Sequence, residues 1–79
     1  MTETDLNVLK ANVDRVVKIV CYDGESLLAK VHFVSDEDQD LIYDLVSTTK
    51  ESQYEKHDEQ PAYLITFQEI ERVEPIQNR

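Results

Sequence analysis

Three aspartates at alternate positions, Asp36, Asp38 and Asp40, are the side chains of this chain whose spacing first suggests ion binding. Carboxylates at the first, third and fifth positions are typical of calcium-binding loops, whose oxygens converge on the cation. Such a loop also requires glycine at its sixth position and glutamate at its twelfth, where this chain has Leu41 and Ser47. We therefore interpret the acidic run as a solvated turn that disfavours edge-to-edge association, and we predict no metal site.

Few other side chains could carry chemistry. His32 lies in a strand-like segment and His57 in a polar one, and neither has a second histidine or a cysteine at metal-ligand spacing. Cys21 alternates with apolar residues, which favours a buried small side chain over a reactive thiolate. The single glycine, Gly24, serves a turn and not a phosphate-binding loop. We predict that the chain is not an enzyme, with no catalytic, metal or cofactor-binding residues and no cofactor.

The chain has more acidic than basic residues, and this excess limits which partners it can bind. Its 79 residues include 17 acidic and 8 basic side chains, for a net charge of −9. This excess repels nucleic acids and anionic membranes, because binding to either depends on Lys and Arg contacts to phosphates. A single cysteine excludes an internal disulfide, and we see neither a leader peptide nor an apolar run of about 18 residues. We expect one domain over residues 1–79, in the cytoplasm, with no membrane or nucleic-acid partner.

The apolar pattern predicts a short amphipathic helix at the start of the chain. Apolar residues three and four positions apart, Leu6, Leu9 and Val13, place one helix over about residues 4–13. Either Thr2 or Thr4 can serve as its N-cap. A helix this short is marginal alone, so it must dock on the rest of the fold.

A hairpin follows the helix. An Asp-Gly pair at positions 23 and 24 is among the strongest short-range signals for a tight turn between two antiparallel strands. The alternating segments on either side predict strands over residues 15–22 and 27–34. One face of the second strand should carry Leu27, Ala29, Val31 and Phe33.

Three further strands complete the pattern. Residues 41–46 predict a third strand whose side chains alternate between two faces. Residues 49–60 are polar and aperiodic, which favours a long connection. This connection serves either recognition or only flexibility. A fourth strand is predicted over 62–67. A tight turn of 3₁₀ type at Glu69-Ile70 then leads to a fifth strand over 71–74.

The stretch from Val16 to Pro75 resembles the Sm-like family of small SH3-type barrels. The resemblance rests on the apolar first strand, the Asp-Gly turn, a second strand ending in the acidic run, and Leu41-Ile42-Tyr43 after it. It implies an N-terminal helix and a five-stranded antiparallel barrel over about residues 15–75, and it implies ring or dimer assembly.

The motifs by which that family binds RNA differ in this chain. The family carries an asparagine before the third strand, which contacts RNA bases, and an Arg-Gly pair before the last strand. Here Asp40 and the run Phe67-Gln68-Glu69-Ile70 stand in those places. The resemblance therefore implies the fold and the assembly but not an RNA site.

The second face of the predicted strands is also apolar. A small antiparallel sheet normally exposes one face to water, so apolar residues there need a cover. The helix and the barrel curvature can supply it, or the face is an interaction surface, which Tyr54 and Tyr63 could extend. The candidate interface residues are Val16, Val20, Leu28, Val34, Ile42 and Val46.

Together these observations predict a non-catalytic assembly or protein-interaction module. Its partner is a second copy of the chain or another protein, and we expect a homo-oligomer. Two alternatives remain: an Sm-like RNA-binding protein, and an acidic mimic of nucleic acid. Fold analogy favours the first, and net charge alone motivates the second.

Overall fold

A computed structural model of the protein describes residues 1–49 and 62–76. In these two ranges the chain forms one helix and five strands: α1 (Glu3–Ala11), β1 (Val16–Cys21), β2 (Ser26–Ser35), β3 (Asp40–Thr48), β4 (Tyr63–Thr66) and β5 (Ile70–Pro75). The strands form a single antiparallel sheet in the order β4-β3-β2-β1-β5. This confirms the prediction of a mainly β fold with an N-terminal helix and five antiparallel strands.

One predicted segment falls largely outside these ranges. Most of the predicted 49–60 connection, with Tyr54 and His57, lies outside the described residues. Within the described part, no helix has the length and apolar character needed to cross a membrane.

Helix α1 begins at a reciprocal pair of hydrogen bonds. The Thr2 hydroxyl accepts from the Asp5 N–H at 3.2 Å, and the Asp5 carboxylate accepts from the Thr2 N–H at 2.9 Å. Thr2 is thus the N-cap. The helix ends at Ala11, before the predicted end at residue 13, because Asn12 leaves helical geometry and Asp14 adopts a left-handed φ of 70°.

Asp5 also fastens α1 to the sheet. Asp5 is only 9% exposed, and its second carboxylate oxygen accepts a hydrogen bond from the Val73 N–H of β5 at 3.0 Å. Burial alone would raise the pKa of the Asp5 carboxyl, but the hydrogen bonds from Thr2 and Val73 outweigh it and hold that pKa below its ordinary value. Leu9, one turn further along the helix, is fully buried in the core.

The predicted hairpin is present between β1 and β2. Gly24 has a φ of 96° and donates its N–H to the Cys21 carbonyl at 3.0 Å. The Asp23 carboxylate accepts a hydrogen bond from the Glu25 N–H at 3.0 Å, and this side-chain contact also stabilises the turn. Only glycine adopts this backbone conformation without strain, which explains why the single glycine of the chain stands here.

The core occupies the inner face of the sheet beneath α1. Its fully buried members include Leu9, Val17, Ile19, Leu27, Ala29, Val31, Leu41 and Ile70. The prediction that Phe33 joins this face is wrong, because the register of β2 against β3 shifts between Val31 and Phe33. This irregularity inserts His32 as an extra residue, so Phe33 points outward at 58% exposure and Val34 packs against the core.

The sheet is strongly rolled. In a flat sheet the outer strands β4 and β5 would lie about 19 Å apart, four spacings of about 4.8 Å. Only the 3₁₀ turn Phe67–Glu69 joins them, and three such residues rise about 6 Å. The turn is held by the Phe67 N–H, which donates to the Gln39 carbonyl at 2.8 Å, and by the Glu69 carbonyl, which accepts from the Tyr22 N–H at 3.1 Å.

Candidate functional site

An apolar row crosses three strands on the outer face of the sheet. Phe33 of β2 lies opposite Ile42 of β3, and Ile42 lies opposite Leu64 of β4. Phe33 and Leu64 are each 58% exposed, and Ile42 between them is half-buried. Two strand spacings give this row, which we call the outer row, a width of about 10 Å.

Polar side chains bound the outer row along β3. On one side the Asp44 carboxylate lies 2.8 Å from His32 Nε2, and Lys30 lies opposite Asp44 in the neighbouring strand. On the other side lies Asp40, next to the acidic turn, where Asp36 forms an ion pair with Lys10 of α1. The outer row is thus an exposed apolar strip with charged residues on both sides of it along β3.

The six candidate interface residues occupy different environments. Val20 is buried and Val34 packs against the core. Val16, Leu28 and Ile42 are half-buried, and Val46 is 56% exposed beyond Asp44. Of the six, only Ile42 belongs to the outer row.

The two most exposed members of the outer row were not among the candidates. Alternation in the fourth strand could have identified Leu64, because it separates Tyr63 and Ile65, which face the core side. No local pattern could have identified Phe33, because its orientation depends on the irregularity beside it.

A cavity of about 340 Å³ opens at the end of the β1–β2 hairpin. It lies where this turn meets β4 and the 3₁₀ turn, so it exists only because the sheet is rolled. The rings of Tyr43 and Tyr63 lie side by side in its wall, with centroids 5.9 Å apart and planes tilted by 32°. The described residues that line it are Cys21, Tyr22, Asp23, Glu25, Tyr43, Tyr63, Leu64, Ile65 and Glu69.

Three potential ion ligands meet in the wall of this cavity. The Cys21 sulfur and one carboxylate oxygen each from Asp23 and Glu25 all lie within 4.8 Å of one another. Glu25 also accepts a hydrogen bond from the Thr48 hydroxyl. A thiolate with two carboxylates is a donor set that zinc accepts, but a structural zinc site uses four protein ligands. The sequence did not single out Asp23 and Glu25 as a group with Cys21.

His32 lies apart from this cluster. Its ring is paired with Asp44 on the outer face, whereas Cys21 belongs to the core on the inner face. In the part of the chain that the structure describes, the fold therefore does not bring a histidine base to the cysteine thiol.

No protein-family model matches the chain, and no curated protein matches it significantly.

Proposed function

We propose that the protein is a non-catalytic assembly module of small-barrel form, which contacts a second copy of itself or another protein through the outer row. The observation that carries the proposal is the exposure of Phe33 and Leu64 on either side of Ile42. Burying an exposed Phe or Leu side chain contributes about 1.5–3 kcal/mol. Two side chains that are each more than half exposed can therefore supply a few kcal/mol of binding free energy.

The irregularity in β2 supports the same interpretation. A strand that kept its alternation would turn Phe33 toward the core, and the extra residue His32 instead turns it outward. Extra residues of this kind re-aim side chains near functional surfaces. The cost of exposing a phenylalanine is offset if a partner covers it.

Self-association is the form of the proposal that can be tested first. The net charge of −9 opposes it, but salt at physiological ionic strength screens charges beyond about 8 Å, and the outer row itself is uncharged. The single cysteine cannot form an internal disulfide, which supports a cytoplasmic location, where thiols stay reduced.

A dilution series followed by ¹H–¹⁵N NMR tests the surface. If copies meet through the outer row, the amide signals of Phe33, Ile42 and Leu64 shift with protein concentration, and those of α1 do not. Concentration-independent spectra would contradict self-association. Shifts confined to α1 or to the acidic turn would place the contact elsewhere.

A further inference from the structure

The two sides of the outer row carry exposed charges of opposite sign. On one side is the turn between β2 and β3, where Glu37 and Asp38 are exposed. On the other side Lys30 is exposed. Among the described residues, neither Lys30 nor these two acids take part in an ion pair, whereas Asp44 is paired with His32. Each copy of the chain therefore presents an acidic and a basic contact on opposite sides of one apolar strip.

We propose that the outer row joins two copies of this chain across a two-fold axis that lies along the row. The inference rests on the proposed function and deepens it, because it names the partner and its orientation. Such an axis stacks each side chain of the outer row on its counterpart and makes the strands of the two copies antiparallel. The turn of each copy then lies over the Lys30 side of the other, where Glu37 and Asp38 approach a lysine.

The charges select this orientation over the other two-fold arrangement. An axis parallel to the strands would also bury the outer row, but it would place the two acidic turns on each other. Glu37, Asp38 and Asp40 of both copies would then meet, and opposed like charges suppress such an arrangement. In the antiparallel pair the two turns lie on opposite sides of the row, at least about 13 Å apart along the strands, which exceeds the screening length of about 8 Å.

The shape of the sheet brings both charged sides into the contact. A rolled sheet is convex on its outer face, so a second copy follows the strands further than it crosses them. The strands that carry Phe33 and Ile42, β2 and β3, have 10 and 9 residues and are the longest in the described chain. Aligned sheets keep their strand directions within about 30° of each other. A contact along these strands therefore extends from the acidic turn to Lys30 in both copies.

A double-mutant cycle measured by sedimentation equilibrium tests the orientation. The proteins are wild type, Lys30→Glu, Asp38→Lys and the variant with both substitutions. We expect each single substitution to weaken association at least about fivefold, because it turns an attractive contact into a repulsive one and symmetry counts that contact twice. The double variant recreates the contact with its charges exchanged, so its dissociation constant should return to within about twofold of the wild-type value.

Two features of the cycle separate this contact from other electrostatic effects. Lys30→Glu makes the net charge of −9 more negative and Asp38→Lys makes it less negative, so net charge alone would move the two variants in opposite directions. Within one copy, Asp44 opposite Lys30 and Asp40 at the end of the turn are four residues apart, about 13 Å along β3. Compensation between positions 30 and 38 therefore has to come from a second copy.

Circular dichroism verifies that each variant folds. If Lys30→Glu unfolds the sheet beside Asp44, Lys30→Gln takes its place and should weaken association about twofold. Glu37→Lys is combined with Lys30→Glu in the same way, since Glu37 and Asp38 are neighbours in the turn. Sodium chloride at about 1 M should bring all these proteins close to one dissociation constant, because it screens exposed charges beyond about 3 Å.

The orientation and the proposed function can fail separately. Association that is lost in Phe33→Ser but equal in wild type and the single charge variants would overturn the orientation and leave the outer row as the contact. Single variants that shift association in opposite directions, or that weaken it with no recovery in either double variant, would also overturn the orientation. A monomeric wild type would overturn it together with self-association, and would leave the outer row only as a contact for another protein.

Discussion

Replacing Asp5 with alanine should destabilise the whole fold, although the residue lies in the first turn of a short helix. The carboxylate accepts hydrogen bonds from the Thr2 N–H, the Thr2 hydroxyl and the Val73 N–H. The Thr2 hydroxyl would still accept from the amide of residue 5, so the helix would keep half of its capping arrangement. The amide of Val73, in contrast, would lose its partner inside the structure.

The expected cost follows from these contacts. A buried donor without a partner costs about 1–3 kcal/mol, and a weakened helix cap about 0.5–2 kcal/mol, mostly at the lower end here. Asp5→Ala should therefore reduce the free energy of unfolding by about 2–4 kcal/mol. For a small domain, whose total stability is about 5–15 kcal/mol and generally toward the low end, this is a large fraction.

The effect should depend on pH in a defined direction. The pKa of Asp5 is lower in the folded protein than its ordinary value, so its contribution is present above the unfolded pKa of about 3.9. That contribution is lost as the pH falls through the lower, folded pKa. The difference between wild type and Asp5→Ala should be greatest near neutral pH and should shrink below about pH 4.

Urea unfolding followed by circular dichroism measures these differences, with Glu3→Ala as the control. Glu3 is an exposed acid in the same helical turn, so its removal should cost less than about 0.5 kcal/mol. An Asp5→Ala variant as stable as Glu3→Ala at neutral pH would show that the hydrogen bonds of Asp5 do not stabilise the fold. A difference that did not change with pH would show that the charge of Asp5 is not responsible.

Three further predictions follow from the turn, the connection and the charge. Gly24→Ala should lower the free energy of unfolding in urea by about 1–2 kcal/mol, because position 24 has a φ of 96°. No atom lies within 4 Å of an added Cβ, so backbone strain is the expected cause, and an unchanged stability would contradict it. Replacing residues 51–60 with a short Gly/Ser connection should cost at most about 1 kcal/mol, and loss of cooperative unfolding would show that this segment supplies core or interface contacts. Labelled RNA and DNA homopolymers should not bind appreciably at about 150 mM salt, because net charge and Asp40 both oppose phosphate and base contacts, and submicromolar affinity would favour the Sm-like RNA-binding alternative.

Local sequence patterns were sufficient for most of the fold. The 3.6-residue period predicted α1, the two-residue period predicted the strands, and the Asp-Gly pair located the hairpin. These signals depend on neighbouring residues, because each element has one face toward the core. The predicted 3₁₀ turn is also present, although it begins at Phe67 and not at Glu69.

Contacts between distant segments could not be read from local patterns. The hydrogen bond from Val73 to Asp5 joins the two ends of the described chain, and Asp23 and Tyr63, 40 positions apart in the sequence, line the same cavity. The reversal of Phe33 has a different cause. One extra residue in a strand inverts the faces after it, and alternation gives no warning because Val34 is as apolar a candidate for the core as Phe33.

Sedimentation equilibrium of wild type, Phe33→Ser and Val13→Ser at equal micromolar concentrations measures whether the outer row joins copies of the chain. Val13 is a partly exposed apolar residue away from the sheet face, so it controls for a general loss of surface hydrophobicity. We predict masses above the 9.2 kDa of one chain for wild type and Val13→Ser, and a mass near that of one chain for Phe33→Ser. A monomeric wild type, or a Phe33→Ser variant that associates as wild type does, would contradict self-assembly through the outer row.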